Sequence, residues 1–174
     1  MTEIEIDPSR SALVAVDLQL RVVGRHAEPH TAADVVRRSA RLAEAFRRAG
    51  GLVVVVKAEW EQDPQPPGSA LVDEIAPREG DVLVTRRGAN AFHESGLGEL
   101  LAGRGVGTLV LTGIDTSGSV EATARAAWEA GYRLLLPHDA TSGEDGAAHR
   151  LAVQETFPKL GAVCTTDDIV TALG

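Results

Sequence analysis

The chain of 174 residues predicts an α/β fold: a three-layer αβα sandwich built on a doubly wound, six-stranded parallel sheet, in a single domain spanning 1–174. Three observations predict it. Runs such as Ala12-Leu13-Val14-Ala15-Val16 are apolar at every position, as strands buried on both faces are. Amphipathic helical segments alternate with those runs along the chain. No internal repeat, low-complexity tract or long linker breaks the alternation.

The first strand ends at Asp17. Thr31 is placed to cap a helix reaching Arg48, with Val35, Leu42, Ala45 and Phe46 near one face and Ser39 intruding on it. Gly50-Gly51 stops that helix. Leu52 to Val56 is the second strand. Glu59 to Gly68, with Pro64, Pro66 and Pro67, is a loop, and Ser69 to Ile75 a short helix. Val82 to Val84 is the third strand, Arg86 to Glu94 a polar loop, Leu97 to Ala102 a short helix, and Thr108 to Leu111 the fourth strand. A helix over Ser117 to Ala130 stops at Gly131. Arg133 to Leu136 is the fifth strand, closed by Pro137. Gly146 to Glu155 is helical, Ala162 to Cys164 is the last strand, and Asp167 to Leu173 the last helix.

Composition narrows the function classes. The net charge of −8 argues against nucleic acid and anionic membrane as partners. No apolar run approaches a membrane span. The N-terminal MTEIEIDPSR lacks the apolar core of a secretory signal, and one cysteine, Cys164, fits a reducing cytoplasm. No His, Asp or Glu cluster has metal-ligand spacing, so neither a metal nor another cofactor is expected.

Three strands run into polar residues at their C-terminal ends: Asp17, then Arg86-Arg87, then the turn from Asp115 to Ser119. A doubly wound sheet gathers those ends along one crevice. Asp17 there is either a general acid or base or a carboxylate bonding its own turn. Arg86 is an ion-pair partner for Asp17, an anion clamp, or a solvated loop charge. Ser119 is a first-turn residue or a nucleophile, and a nucleophile needs a base. Local pattern gives that role to none of His26, His30, His93, His138 or His149. His93 can line a pocket, whereas His138 and His149 read as surface or structural. Glu59, Trp60 and Thr141 sit in loops that can face the site. Trp60 either stacks on a planar substrate or serves packing or an interface.

Together these pieces resemble the isochorismatase-like hydrolase superfamily, the cysteine hydrolase or nicotinamidase-related group, over nearly the whole chain. Leu13-Val14-Ala15-Val16-Asp17-Leu18-Gln19 resembles its first strand with Asp-x-Gln. Arg86-Arg87-Gly88-Ala89-Asn90-Ala91-Phe92 resembles its Lys-containing loop ending in Ala-Phe, and Thr112 to Val120 its nucleophile turn. Ala127, Gly131-Tyr132, Asp139-Ala140 and His149 continue the pattern. Cysteine hydrolases of this kind use Asp, Lys and Cys. The resemblance places Asp17, Arg86 and Ser119 at those positions, so two of the three catalytic groups depart from the pattern. The nicotinamidase metal site has no counterpart in Lys57-Ala58-Glu59-Trp60.

The resemblance implies a small-molecule hydrolase. A helix N-terminus and a cation can turn a thiol into a thiolate, but not an aliphatic hydroxyl into an alkoxide. A non-cysteine, Asp17-assisted cleavage of a vinyl ether or related C–O or C–N bond is therefore expected, by analogy with true isochorismatases. Arg86 would hold an anionic group, and N–H groups near Asp115 and Ser119 would receive developing negative charge. Gln19, Trp60, Phe92, His93, Ile114 and Asp115 are the expected substrate contacts, with a cis peptide at Ile114-Asp115 and a homodimer or homotetramer. The alternatives are a catalytically silent binding or biosynthetic accessory protein, and a Ser-nucleophile amidase.

Overall fold

The computed structural model describes residues 4–174, so the first three residues of the polar N-terminal stretch lie outside it. Its strands are β1 (Ser11–Val16), β2 (Leu52–Ala58), β3 (Val82–Arg86), β4 (Thr108–Ile114), β5 (Arg133–Pro137), β6 (Thr141–Ser142) and β7 (Ala162–Cys164). All pair in parallel, in the order β3-β2-β1-β4-β5-β7, with β6 beside β4 off that path. The sheet thus has one strand more than the six expected. β6 has two residues, too few for periodicity to reveal, and forms where Thr141 and Ser142 meet Gly113 and Ile114.

Parallel pairing demands crossovers, and the helices supply them. They are α1 (Leu20–Val23), α2 (Ala32–Ala49), α3 (Leu97–Gly103), α4 (Glu121–Glu129), α5 (Gly146–Leu151), α6 (Phe157–Leu160) and α7 (Thr166–Leu173). Side chains alternate across each strand, so the sheet feeds two cores. On one face Val14, Val16, Val54 and Leu111 meet Leu97 and Leu101 of α3, Ala124 and Ala127 of α4, and Phe157 of α6. On the other, Leu13, Ala15, Val55 and Val110 meet Val35, Leu42 and Phe46 of α2 and Ile169 of α7.

The α2 helix shows sequence and structure agreeing at both ends. Thr31 Oγ1 accepts the Asp34 N–H at 3.1 Å, and Gly50 ends the helix with φ 78°. Ser39 does not spoil the buried stripe, because its hydroxyl donates to Thr112 Oγ1 of β4 at 3.0 Å.

Three expected helices change. Ser69 to Ile75 yields only a 3₁₀ turn at Asp73–Ile75, since Leu71 bridges Gln19 and Val72 N–H donates to the Leu18 carbonyl. The expected Ser117 helix starts at Glu121, after a widened π turn over Thr116–Val120 in which Gly118 is non-helical. The Gly146 to Glu155 helix divides into α5, a π turn over Ala152–Thr156, and α6. Pro158, lacking an N–H, accounts for that break. Among the described residues no helix is long and apolar enough to cross a membrane.

β1 and β4 are neighbours, but the chain leaves them toward opposite edges of the sheet. Their C-terminal ends therefore open a crevice, the usual ligand position in such sheets.

Candidate active site

Asp17 follows β1 with φ 60°, a left-handed conformation that costs a non-glycine residue about 1–3 kcal/mol. Its N–H donates to the Val56 carbonyl at 3.0 Å, and its carbonyl accepts the Gln19 N–H at 2.8 Å. Those bonds turn the side chain out of the strand while leaving it only 5% exposed. Arg86, the last residue of β3, reaches across the end of β2 to it. Arg86 Nε donates to Asp17 Oδ1 at 2.9 Å and Oδ2 at 3.2 Å, and Nη2 donates to Oδ2. Arg86 Nη1 donates to the Gly88 carbonyl at 2.7 Å. Of the roles open to Arg86 in the sequence, the geometry takes ion-pair partner of Asp17; its fork is spent on that carboxylate.

The turn after β4 brings Ser119 and Asp115 to the same crevice. The Ile114–Asp115 peptide is cis. Gly118 and Val120 N–H groups fold back onto the Asp115 carbonyl at 3.1 and 3.2 Å, so they are not free for a ligand. Ser119 Oγ leans toward the Ile114 carbonyl at 3.4 Å. Burial pushes the Asp115 carboxyl up from its ordinary range, although the Ser117 and Glu144 N–H groups bond it. Gly143 packs against that carboxylate, where a Cβ would overlap Asp115 Oδ1.

His149 holds this turn from beneath. Its Nδ1 lies 2.8 Å from Thr116 Oγ1, and the residue is 3% exposed. Burial, with the charges of His30, His138 and Arg150, pulls its pKa down from 6.5 to about 4. The folded protein thus resists a proton that the unfolded chain accepts. Stability is fully present above about pH 6.5 and declines as pH falls toward about 4, by at most about 3 kcal/mol. Denaturation midpoints across that window check this, and His149→Gln should flatten the profile.

A cavity of about 290 Å³ collects Asp17, Trp60, Arg86, Ile114, Asp115 and Ser119 around one space. Gln19, expected at the substrate, is fully buried instead. Its amide donates to the Ala58 and Ser69 carbonyls at 3.0 and 2.7 Å and accepts the Ala58 N–H at 2.9 Å, tying β2 and the proline loop to α1. Phe92 also lies elsewhere, packed on Tyr132 with ring centroids 5.8 Å apart, and His93 is out beside Glu94. Thr141 is buried in β6, and Glu59 pairs Arg87 at 2.8 Å. Cys164 is a buried core residue whose thiol is pushed up to about 12 by burial, which leaves it unreactive.

The sequence reading missed the contribution of the α1 segment: Arg21, Arg25 and His26 line the same cavity. A signal existed, in two arginines one helical turn apart just after Asp17-x-Gln. A larger hollow of about 380 Å³ lies far from Asp17, near Pro8 and Gly51; its main charges, Arg47 and Asp81, are closed on each other at 2.6 Å. Among the described residues no three His, Cys, Asp or Glu side chains gather as metal ligands would.

An isochorismatase domain model matches residues 11–168 of this chain. The chain belongs to the isochorismatase family. It is 32% identical over 187 residues to the uncharacterized isochorismatase family protein YecD of Escherichia coli O157:H7, covering 98% of this chain and 100% of that one. It is 37% identical over 139 residues to a streptothricin hydrolase of Streptomyces noursei, covering 77% of this chain and 50% of that one. The fold superposes on an isochorismatase family protein from Burkholderia thailandensis with a TM-score of 0.91 at 34% identity, over 97% of each chain. The isochorismatase-like sandwich is thus its fold, and the protein is a hydrolase of this family.

Proposed function

We propose that this family hydrolase cleaves a C–O or C–N bond of a small molecule with Asp17 as its proton-transfer group and without a covalent intermediate. The supporting observation is the Asp17 carboxylate itself: buried, oriented by the Arg86 fork, and facing the cavity that Ser119 and Asp115 also line. On an amide or ester, Asp17 accepts a proton from the water that attacks the carbonyl carbon and returns it to the leaving nitrogen or oxygen as that bond breaks. The Asp115 N–H receives the negative charge that develops on the substrate.

Ser119 takes the position where cysteine hydrolases of the family carry their thiol, but among the described residues no base is hydrogen-bonded to it. Its hydroxyl leans on a carbonyl oxygen, and the buried His149 bonds Thr116 instead. Its role here is to shape the cavity. Ser119→Ala should therefore retain hydrolysis of a responsive vinyl ether or amide within about tenfold. Intact-protein mass spectrometry during turnover should show no acyl adduct. A trapped adduct on Ser119, or a loss beyond about a thousandfold, would replace this reading with the serine amidase.

A further inference from the structure

We infer that Arg21 is the anion-recognition residue of the cavity and that the substrate carries a carboxylate. This rests on the reading of the cavity as the substrate site. Three arginines line that space: Arg21, Arg25 and Arg86. Arg86 is neutralised by Asp17, and Arg25 lies 3.5 Å from Glu144 at an exposed edge. Arg21 has no acidic partner among the described residues, and its Nε and Nη1 are buried without a hydrogen bond.

Two enclosed guanidinium nitrogens left without acceptors are costly, so the fold must hold the group in place by other means. The Arg21 guanidinium carbon sits 4.6 Å from the centre of the Trp60 ring. Such stacking orients the planar group and leaves Nη2, which is not among its enclosed nitrogens, as the point where a carboxylate oxygen can meet it. The backbone is fixed as well, with the Arg21 N–H donating to the Gly68 carbonyl at 2.8 Å. Gly68 has φ 77°, and a Cβ there would press on Arg21 N and Cβ at 2.9 and 3.0 Å, so only glycine lets the proline loop close over this residue.

The arrangement divides two tasks that a single arginine was expected to share. Arg86 orients the carboxylate of Asp17, and Arg21 binds the carboxylate of the ligand. Trp60 takes part through Arg21: one face of its ring supports the cation rather than the substrate. A carboxylate docked on Arg21 also offsets the positive charge left in the cavity once Asp17 is paired.

Binding tests this without requiring turnover, so it is independent of whether Asp17 performs the chemistry. Calorimetry would titrate wild type with maleate and benzoate, and with the neutral analogues dimethyl maleate and benzamide. The acids should bind measurably at millimolar concentration, more weakly as salt rises, and at least about tenfold better than their neutral analogues. Arg21→Gln should remove that preference while changing neutral-ligand affinity less than about threefold. Arg21→Lys should keep part of the preference, because it keeps the charge and loses the fork. A merely structural Arg21 would lower Tm in both variants and leave the acid-to-neutral ratio unmoved, which overturns the assignment. Wild type binding none of the acids, or Arg21→Gln binding them as wild type does, overturns it too. Loss of turnover in these variants with the acid preference intact would count against Arg21 as the anion residue and leave the Asp17 reading standing.

Discussion

Asp17→Asn is expected to reduce hydrolysis by about 10²–10⁴-fold, the usual worth of a positioned acid or base. The substitution keeps the shape of the side chain and removes its negative charge. The Arg86 fork then faces an amide that can accept only part of what two carboxylate oxygens accept. With Asp17 5% and Arg86 18% exposed, breaking this pair costs stability as well, up to about 3 kcal/mol. The two effects separate in a second variant. Asp17→Glu restores the charge and much of the pairing, yet moves the carboxylate by a methylene, so it should recover stability more than rate. Circular dichroism and Tm report the fold, and initial rates on a responsive substrate report the chemistry. Full activity in a folded Asp17→Asn protein would remove Asp17 from the mechanism.

The legible parts of this protein are those specified by neighbouring residues. β1 reads as a strand because five successive residues are apolar, and α2 reads as a helix because Thr31 and Gly50 bound an amphipathic stretch. The convergence of Asp17, Arg86 and the Asp115 to Ser119 turn followed from the position of each at a strand end. The unreadable parts depend on distant partners. Gln19 looks like a site residue in its motif, but the carbonyls that consume its amide lie 39 and 50 residues away. Arg21 gains its setting only from Trp60, which lies in a distant loop. His149 anchors Thr116 across a separation of 33 residues, which no local pattern predicts. The turn bearing Ser119 was legible as a turn, but its π form was not, because the conformation of Gly118 leaves no periodic trace.

Gly113→Ala is expected to cost about 2–6 kcal/mol and to disable the site even in the molecules that remain folded. Gly113 has φ 130°, outside the range an alanine adopts without strain. It sits in β4 directly beside Val16, the residue that leads into Asp17. A Cβ at Gly113 would overlap the Val16 carbonyl oxygen and crowd its carbonyl carbon and nitrogen, each at 2.9 Å. No flexible side chain can yield there; the contact is backbone on backbone between two central strands. Relief requires β1 and β4 to part at their C-terminal ends. That movement carries Asp17 away from Arg86 and from the turn below Ser119, so structure and function fail together. Gly131→Ala is the matching control, since Gly131 also has positive φ, 90°, but a Cβ there would meet nothing within 4 Å. It should cost only about 1 kcal/mol, from backbone conformation alone. The difference between the two Tm shifts isolates the close strand approach. Equal shifts would mean that β1 and β4 have room at Gly113, and that the crevice does not depend on this glycine.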